Sequence, residues 1–175
     1  MTISVIGLNH KSASLDIREK YSFTGDACSL LLRRIKKIPH INEVLVISTC
    51  NRTEIYTDSE SGFHNIQDWL TTEKEYQSFT NHMYVYQEED AIRHLFKVVS
   101  GLDSMVVGES EVLGQVKTSY KIALENKTID SKLKRLFEYS FSVAKNVRTN
   151  TDIGGNAISF MYTSILLIKK IFSNI

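Results

Sequence analysis

A thiol and a guanidinium lie two residues apart in one short stretch, as Cys50 and Arg52 within residues 48–54. The apolar run at 44–47 before this stretch and the alternating run at 53–57 after it are both typical of strands. The thiol is therefore predicted at the tip of a tight strand-to-strand connection. A nearby cation such as Arg52 favours the thiolate, which is the nucleophilic form. Cysteine is also a small hydrophobe that is usually buried, so a structural role for Cys50 stays open beside the catalytic one.

Two further groups of residues could assist a reaction at Cys50. His94 lies at the edge of the apolar stripe of a predicted helix. There it is either a general acid or base, or a histidine that bonds a backbone carbonyl. A polar cluster around a break between two helices forms either the wall of a substrate pocket or a helix cap, with Ser110 as N-cap and Glu111 in the first turn. The cluster consists of Ser104, Glu109, Glu111 and Gln115.

Composition narrows the class of protein. The 175 residues are 42% hydrophobic and 23% charged, which suits one domain, or one domain with a helical extension. Two cysteines, without a Cys-x-x-Cys or a His-x-x-x-His pair, give a metal site no support. Neither a signal peptide nor a membrane-spanning apolar run is present, so a cytoplasmic protein without membrane contact is expected.

Basic residues cluster on one predicted helix, at residues 130–149. The net charge of the chain is only +1, so no general basic field points to nucleic acid. The cluster is either a solvated helix face or a local surface that contacts RNA phosphates. Its members are Lys132, Lys134, Arg135, Lys145 and Arg148.

The order of predicted elements is β-α-β-β-α-β with a short extra helix at 14–23, capped by Ser14, followed by a run of helices. This order is typical of an α+β fold with a ferredoxin-like split βαβ antiparallel sheet, which carries helices on one face. The strands are predicted at 2–8, 43–48, 52–58 and 82–87. The helices are predicted from Asp26 to 37 and at 63–73, 88–100, 110–126, 130–149 and 157–173.

The predicted elements divide the chain into three parts. Residues 1–150 form a catalytic domain, with the sheet part at 1–87 and a helical part at 88–150. Residues 151–175 form a hinge and the start of a linking helix. Because the last helix is strongly apolar, a further domain is expected to follow it.

Seven short motifs follow one another along the chain: GLNHK at 7–11, STCNRTE at 48–54, HLF at 94–96, SGLDSMV at 100–106, GE at 108–109, LGQVK at 113–117 and AKNVRT at 144–149. In this order they resemble the N-terminal catalytic region of the glutamyl-tRNA reductase family, and the resemblance covers nearly all 175 residues. Two stretches depart from the family's pattern. Residues 109–111 read Glu-Ser-Glu where Glu-Pro-Gln is common, and residues 154–156 read Gly-Gly-Asn where Gly-Arg-Gly or Gly-Ser-Gly is usual. The first departure adds an acid beside a pocket for an anionic substrate.

The resemblance implies NADPH-dependent reduction of glutamyl-tRNA to glutamate-1-semialdehyde, the first step of the five-carbon route to 5-aminolevulinate and tetrapyrroles. The Cys50 thiolate would attack the ester carbonyl, form a thioester and release tRNA, and NADPH would then deliver a hydride. His94 would assist this chemistry, and the fork of Arg52 suits a substrate carboxylate. The glutamate pocket would be formed by Thr49, Asn51, Arg52, Ser104, Glu109, Ser110, Glu111 and Gln115.

The resemblance also implies partners outside this chain. No G-x-G-x-x-G pattern occurs here, so the NADPH site and the homodimer contacts are expected on further domains. Glutamate-1-semialdehyde aminotransferase is a further expected partner. Two other functions stay open, a tRNA-binding module and a cysteine hydrolase. The hydrolase would need a residue that orients His94, and none is identifiable from the sequence.

Overall fold

The sheet of the computed structural model, which describes residues 2–153, 165 and 168, has four antiparallel strands in the order β2-β3-β1-β4. This order confirms the predicted α+β class and the split βαβ arrangement. It places β3 next to the first strand, and the β2–β3 connection at one end of the sheet. The strands are β1 (Thr2–Asn9), β2 (Ile41–Ser48), β3 (Arg52–Ser59) and β4 (Tyr84–Gln87).

The sheet part also contains four α-helices and a short 3-10 helix. The 3-10 helix and α4 were not predicted, and they bury Tyr76 and Phe79 in the connection to β4. Ser14 occupies the predicted N-cap position of α1, but its side chain makes no capping hydrogen bond. The helix predicted from Asp26 begins one residue earlier, after Thr24. The helices are α1 (Leu15–Lys20), α2 (Gly25–Lys36), α3 (His64–Thr72), the 3-10 helix (Lys74–Tyr76) and α4 (Gln77–Thr80).

The helical part contains three longer helices, as predicted to within about two residues at each end. In the part of the chain that the structure describes, no helix is long and apolar enough to cross a membrane. The predicted helix at 157–173 and the hinge glycines at 154 and 155 lie outside the described residues, apart from 165 and 168. The three helices are α5 (Glu88–Val99), α6 (Glu111–Glu125) and α7 (Ser131–Asn150).

Strand β3 is buried along its whole length because both faces of the sheet are covered. Side chains alternate between the two faces of a strand. Tyr56 packs edge-on against Phe137 of α7, with ring centroids 5.3 Å apart. Thr53, on the opposite face, donates its hydroxyl to the carbonyl of Tyr21, at 2.7 Å. The prediction that helices cover only one face of the sheet is therefore wrong, because the helical part covers the second face.

A carboxylate on β2 holds the start of α7. Glu43 is buried and accepts hydrogen bonds from the backbone N–H groups of Asp130, Lys132 and Leu133, each at 2.9 Å. The first N–H groups of a helix have no partner within the helix, and the helix dipole favours an anion there. Glu43 supplies the cap that the side chain of Asp130 does not. This contact fixes the helical part against the sheet.

Candidate active site

The β2–β3 turn displays the thiol of Cys50. Thr49 Oγ1 accepts hydrogen bonds from the N–H groups of Asn51 and Arg52, both at 3.2 Å. The N–H of Thr49 donates to the carbonyl of Arg52 at 2.9 Å, and the N–H of His10 donates to the carbonyl of Asn51 at 3.0 Å. The turn is therefore fixed by its own backbone, and Cys50 at its tip is exposed. Thr49, predicted as a pocket residue, shapes this turn.

A cation from α1 also holds the turn. Nε of Arg18 donates to the carbonyl of Cys50 at 3.2 Å, and Nη1 donates to the carbonyl of Ala13 at 2.9 Å. The activating charge was predicted at Arg52, and no feature of the sequence singled out Arg18. The contact joins residues 32 apart in the chain, and no local pattern marks it.

Cys50 opens into a cavity of about 160 Å³ between the turn and the start of α6. Sites for drug-sized ligands are larger, about 300–1,000 Å³. This cavity therefore suits a group of the size of one amino acid. It combines two carboxylates and two side-chain amides with two apolar residues. It is lined by Cys50, Asn51, Met105, Val106, Glu109, Glu111 and Gln115.

Four of the eight predicted pocket residues line this cavity, namely Asn51, Glu109, Glu111 and Gln115. Ser104 is buried and lies outside the lining. Ser110 is exposed at the N-cap position of α6, but its side chain makes no capping hydrogen bond. The predicted side-chain cap by Ser110 is therefore wrong, and the contact of either serine with a substrate stays a prediction.

The two acids of the cavity affect each other. Burial and then the charge of Glu111 raise the pKa of Glu109, against the opposing pull of Arg52. The extra acid in the Glu-Ser-Glu stretch therefore adds negative charge to the wall beside Cys50. Such a wall favours a cationic group on a ligand.

Arg52 lies buried behind the cavity, with 2% of its surface exposed. Its Nη1 donates to Oε1 of Glu54 at 2.7 Å. Its Nη2 donates to Oδ2 of Asp103 at 3.1 Å and to the Asp103 carbonyl. The guanidinium of Arg52, which was predicted to bind a substrate carboxylate, thus binds two carboxylates of the protein instead. The charge that was expected to activate Cys50 is compensated in the same way.

Glu54 is the centre of this buried network. Besides Arg52, the hydroxyl of Tyr84 donates to Oε1 at 2.6 Å and the hydroxyl of Tyr56 donates to Oε2 at 2.8 Å. The ring nitrogen Nε2 of His94 lies 2.9 Å from Oε1. Burial opposes the charge of Glu54, but Arg52 and then His94 outweigh it and hold its pKa well below the usual range. Glu54 is therefore an ionised carboxylate in the core.

The ionised Glu54 fixes the tautomer of His94. Because the carboxylate can only accept, Nε2 of His94 must carry the proton, which leaves Nδ1 to accept one when the ring is neutral. The rings of Tyr84 and Tyr86 lie 5.4 and 5.0 Å from the imidazole, between centroids. Glu54 is thus the orienting residue that the sequence did not reveal.

His94 and Cys50 open into different cavities. The cavity at His94 is flanked by β4, α5 and the loop after α5. It shares none of its lining residues with the cavity at Cys50. The predicted partnership of His94 with the thiol therefore has no support from a shared cavity. The lining of the His94 cavity is Lys11, Tyr86, Asp90, Arg93, His94, Lys97 and Asp103.

Gly7 leaves room for the network. A Cβ at Gly7 would lie 2.7 Å from Cγ of Glu54, 3.0 Å from the carbonyl of Thr53 and 3.1 Å from the hydroxyl of Tyr84. Gly7 faces Glu54 across the β1–β3 ladder. Glycine is therefore needed at position 7 because Glu54 and Tyr84 occupy the space beside it, and not because the strand requires it.

The sequence held one signal for this network. Arg52, Glu54 and Tyr56 alternate along β3 and therefore share one face. Tyr84 and Asp103 carried no such signal, because they reach Glu54 and Arg52 only through the tertiary fold. Among the described residues, no group of three histidines, cysteines or acids is placed to hold a metal ion.

Comparison with known families supports a common origin with one enzyme class. A family model described as glutamyl-tRNAGlu reductase, N-terminal domain, matches residues 6–151. The chain is 46% identical over 173 residues to a glutamyl-tRNA reductase of Xylella fastidiosa (strain M23). This match covers 99% of this chain and 39% of that protein. It is 42% identical over 175 residues to one of Xanthomonas campestris pv. phaseoli, covering 100% of this chain and 40% of that protein.

A solved structure has the same fold. Glutamyl-tRNA reductase from Methanopyrus kandleri superposes with a TM-score of 0.78 and 29% identity. The match covers 96% of this chain and 39% of the other. The chain therefore spans about two fifths of the length of the relatives that it matches.

Proposed function

This chain belongs to the glutamyl-tRNA reductase family and corresponds to its N-terminal domain, and on that premise we propose that Cys50 accepts the glutamyl group of glutamyl-tRNA. In the whole protein this step begins the NADPH-dependent reduction to glutamate-1-semialdehyde, which leads to 5-aminolevulinate and tetrapyrroles. The observation that carries the proposal is the position of Cys50. It is an exposed thiol at the tip of a fixed turn, and it opens into a cavity of amino-acid size.

The proposed step is an acyl transfer. The sulfur of Cys50 attacks the carbonyl carbon of the ester that joins glutamate to the terminal ribose of the tRNA. A carbon–sulfur bond forms, the carbon–oxygen ester bond breaks, and the ribose oxygen leaves as a hydroxyl with the proton that the thiol of Cys50 has lost. Covalent catalysis of this kind replaces one difficult step by two easier ones.

The cavity offers complementary groups for a glutamyl ester. Its α-ammonium group is a cation, which the carboxylates of Glu109 and Glu111 can accept. Its side-chain carboxylate can take hydrogen bonds from the amides of Asn51 and Gln115. Both amides and both acids line the cavity beside Cys50.

Arg52 and His94 act in this proposal as positioning residues behind the cavity. Arg52 is the first residue of β3, directly after the turn, and its guanidinium is held by Glu54 and Asp103. Loss of this anchor would let the turn shift, and a displacement of about 1 Å of a reacting group can cost about 10²-fold in rate. Any direct contact of Arg52 with the substrate carboxylate, and of Ser104 or Ser110 with the substrate, stays a prediction.

NADPH does not fit the residues of this chain. A dinucleotide is held at the carboxyl ends of parallel strands, by a glycine-rich turn that leads into a helix. The strands of the described part pair only antiparallel, and the sequence contains no G-x-G-x-x-G pattern. We therefore assign to this chain the acyl-transfer step alone. NADPH use, a homodimer, transfer of product to an aminotransferase and a cytoplasmic location are proposed for the whole protein on family membership.

Incubation with glutamyl-tRNA tests the proposal. The chain should form a glutamyl adduct of Cys50, visible by mass spectrometry, and water should slowly release glutamate from it. The variant Cys50→Ser should form no thioester and should deacylate far more slowly. Cys28→Ser is the matched control, because Cys28 is the other cysteine and is buried in α2. Equal deacylation by the wild type and Cys50→Ser would exclude Cys50 as the nucleophile.

A cysteine hydrolase has one observation in its favour, since Glu54 orients His94. The separate cavities of His94 and Cys50 count against it. A tRNA-binding module without chemistry would keep tRNA affinity in Cys50→Ser and give no adduct in the wild type. The same incubation therefore separates acyl transfer to Cys50 from a tRNA-binding module.

A further inference from the structure

We propose that a groove between α6 and α7 binds phosphates of the single-stranded 3′ end of the charged tRNA. The inference rests on the proposed function, because a tRNA substrate would bring those phosphates to the cavity of Cys50. α6 contributes Leu113 and Lys117 to the groove, and α7 contributes Phe141, Lys145 and Arg148. We call this surface the basic groove. It is open to solvent and has a volume of about 490 Å³.

The charges of the basic groove suit an anion. Its lining contains three cations and no acid. Among the described residues, none of the three forms an ion pair, in contrast to Lys132, which is paired with Asp58 at 2.9 Å. One turn before the groove on α7, Glu138 accepts a hydrogen bond from the hydroxyl of Tyr120, at 2.8 Å. Because the chain as a whole carries only +1, a polyanion is attracted by local patches such as this one.

Two contacts order two of the three cations, Lys117 and Arg148. Nζ of Lys117 lies 5.7 Å from the centre of the Phe141 ring, within the range of a cation–π interaction. Nη2 of Arg148 donates to the carbonyl of Glu109 at 2.6 Å. The buried Nε of Arg148 has no acceptor among the described residues. The guanidinium is thus held at one nitrogen and retains donor capacity at the others.

The basic groove adjoins the cavity of Cys50. Glu109 lines the cavity, and its carbonyl accepts a hydrogen bond from Arg148 of the groove, so one residue forms part of both walls. α6 likewise presents Gln115 to the cavity and Lys117 to the groove. An ester bond at Cys50 would therefore place the sugar–phosphate chain that precedes it near the groove.

Phosphate contacts of this kind position a nucleic acid without reading its sequence. A glutamyl group held only by a small cavity would have to bring its ester to the thiol without help from the rest of the tRNA. Binding of the adjoining backbone orients the ester and makes the attack effectively intramolecular. The basic groove would thus distinguish glutamate on tRNA from small glutamate esters.

Salt dependence of tRNA binding tests the groove. The variant Lys117→Gln/Lys145→Gln removes two exposed charges from it. Lys121→Gln/Lys134→Gln removes two exposed charges from the same helices, outside the groove. Binding of fluorescent, uncharged glutamate tRNA is followed by anisotropy over a range of KCl concentrations. The slope of log K against log salt should fall by about 1.4 in the groove variant, at about 0.7 per single-strand phosphate. The affinity should fall about 25-fold at about 0.1 M salt.

A shortened tRNA locates the contact. On a tRNA without its single-stranded 3′ tail, the wild type and the groove variant should have the same slope. Unchanged alkylation of Cys50 by iodoacetamide in the groove variant would support an intact cavity. The inference is overturned if both double variants lose the same slope, if neither does, or if the loss persists on the shortened tRNA. Because binding of uncharged tRNA needs no thiol chemistry, failure of the Cys50→Ser test would be seen separately.

Discussion

Replacement of Glu54 by Gln should destabilise the protein more than any other isosteric change of a single buried carboxylate in the sheet part. The amide keeps the shape of the side chain but removes its charge. Arg52 would then remain buried with Asp103 as its partner, and the donors of Tyr84 and His94 would face a weaker acceptor. The perturbation therefore tests whether the charge of Glu54 organises the network.

The magnitude follows from complete burial. Glu54 is 0% exposed and Arg52 is 2% exposed, so solvent screens their interaction little. Removal of one partner from a buried ion pair costs about 3–5 kcal/mol. For a chain of this size, that loss would lower Tm by about 10 °C.

The pH dependence of the effect has a defined sign. The folded state holds the pKa of Glu54 below its ordinary value of about 4.3. The stability from its charge is therefore complete above that pH and is lost as the pH falls below it, by at most about 1.4 kcal/mol per pH unit. The variant has no titrating group at this position. The gap between the two proteins should narrow by about 2 kcal/mol between about pH 7 and pH 3.

Urea unfolding at several pH values measures this gap. Asp58→Asn is the control, because Asp58 is also buried on β3 but its partner Lys132 is 40% exposed. The control should cost about 1–2 kcal/mol, since water can take over part of the interaction. A Glu54→Gln protein within about 0.5 kcal/mol of the wild type at neutral pH would refute the reasoning. So would a gap that does not change on acidification.

Two further predictions concern the surroundings of this network and the cavity. Gly7→Ala should lose about 1–3 kcal/mol in urea unfolding, because its Cβ would lie 2.7 Å from Cγ of Glu54; unchanged stability would show that the strands shift freely. Glu111→Gln should lower the pKa of Glu109 towards its usual value, because the charge of Glu111 raises it. An NMR titration of the Glu109 carboxyl measures this, and an unchanged pKa would mean that burial alone causes the shift.

Much of the fold follows from periodic patterns. The alternating run that became β3 and the helical stripes of α5 and α7 predicted these elements to within about two residues, because each pattern spans several turns or pleats. The 3-10 helix and α4 escaped prediction because each is shorter than about one and a half helical turns, too short for periodicity to register. The cap of α7 comes from Glu43 on β2, a contact that no local window contains.

The site was predictable in part for the same reason. The exposed turn at Cys50 is local, and strands on both sides predict it. The state of Arg52 is not local, because its guanidinium is held by Asp103, which is 51 residues away in the chain, as well as by Glu54 two residues along the same strand. A sequence motif thus gave the residue types, and the tertiary fold decided which of them reach the cavity.

The alternation along β3 limits how the turn at Cys50 can change. Arg52, Glu54 and Tyr56 point to the helical part only because the turn has its present length. If one residue were inserted or deleted in the turn, β3 would pair with its neighbouring strands one residue out of register. Every side chain of β3 would then lie on the opposite face of the sheet. Thr53 and Ile55 would then face Asp103 and the buried His94. The charged side chains of Arg52 and Glu54 would enter the apolar layer under α2 and α3. Surface turns usually tolerate changes in length, but a change in the length of this turn should prevent folding. Substitutions at its tip should affect only the reaction at Cys50.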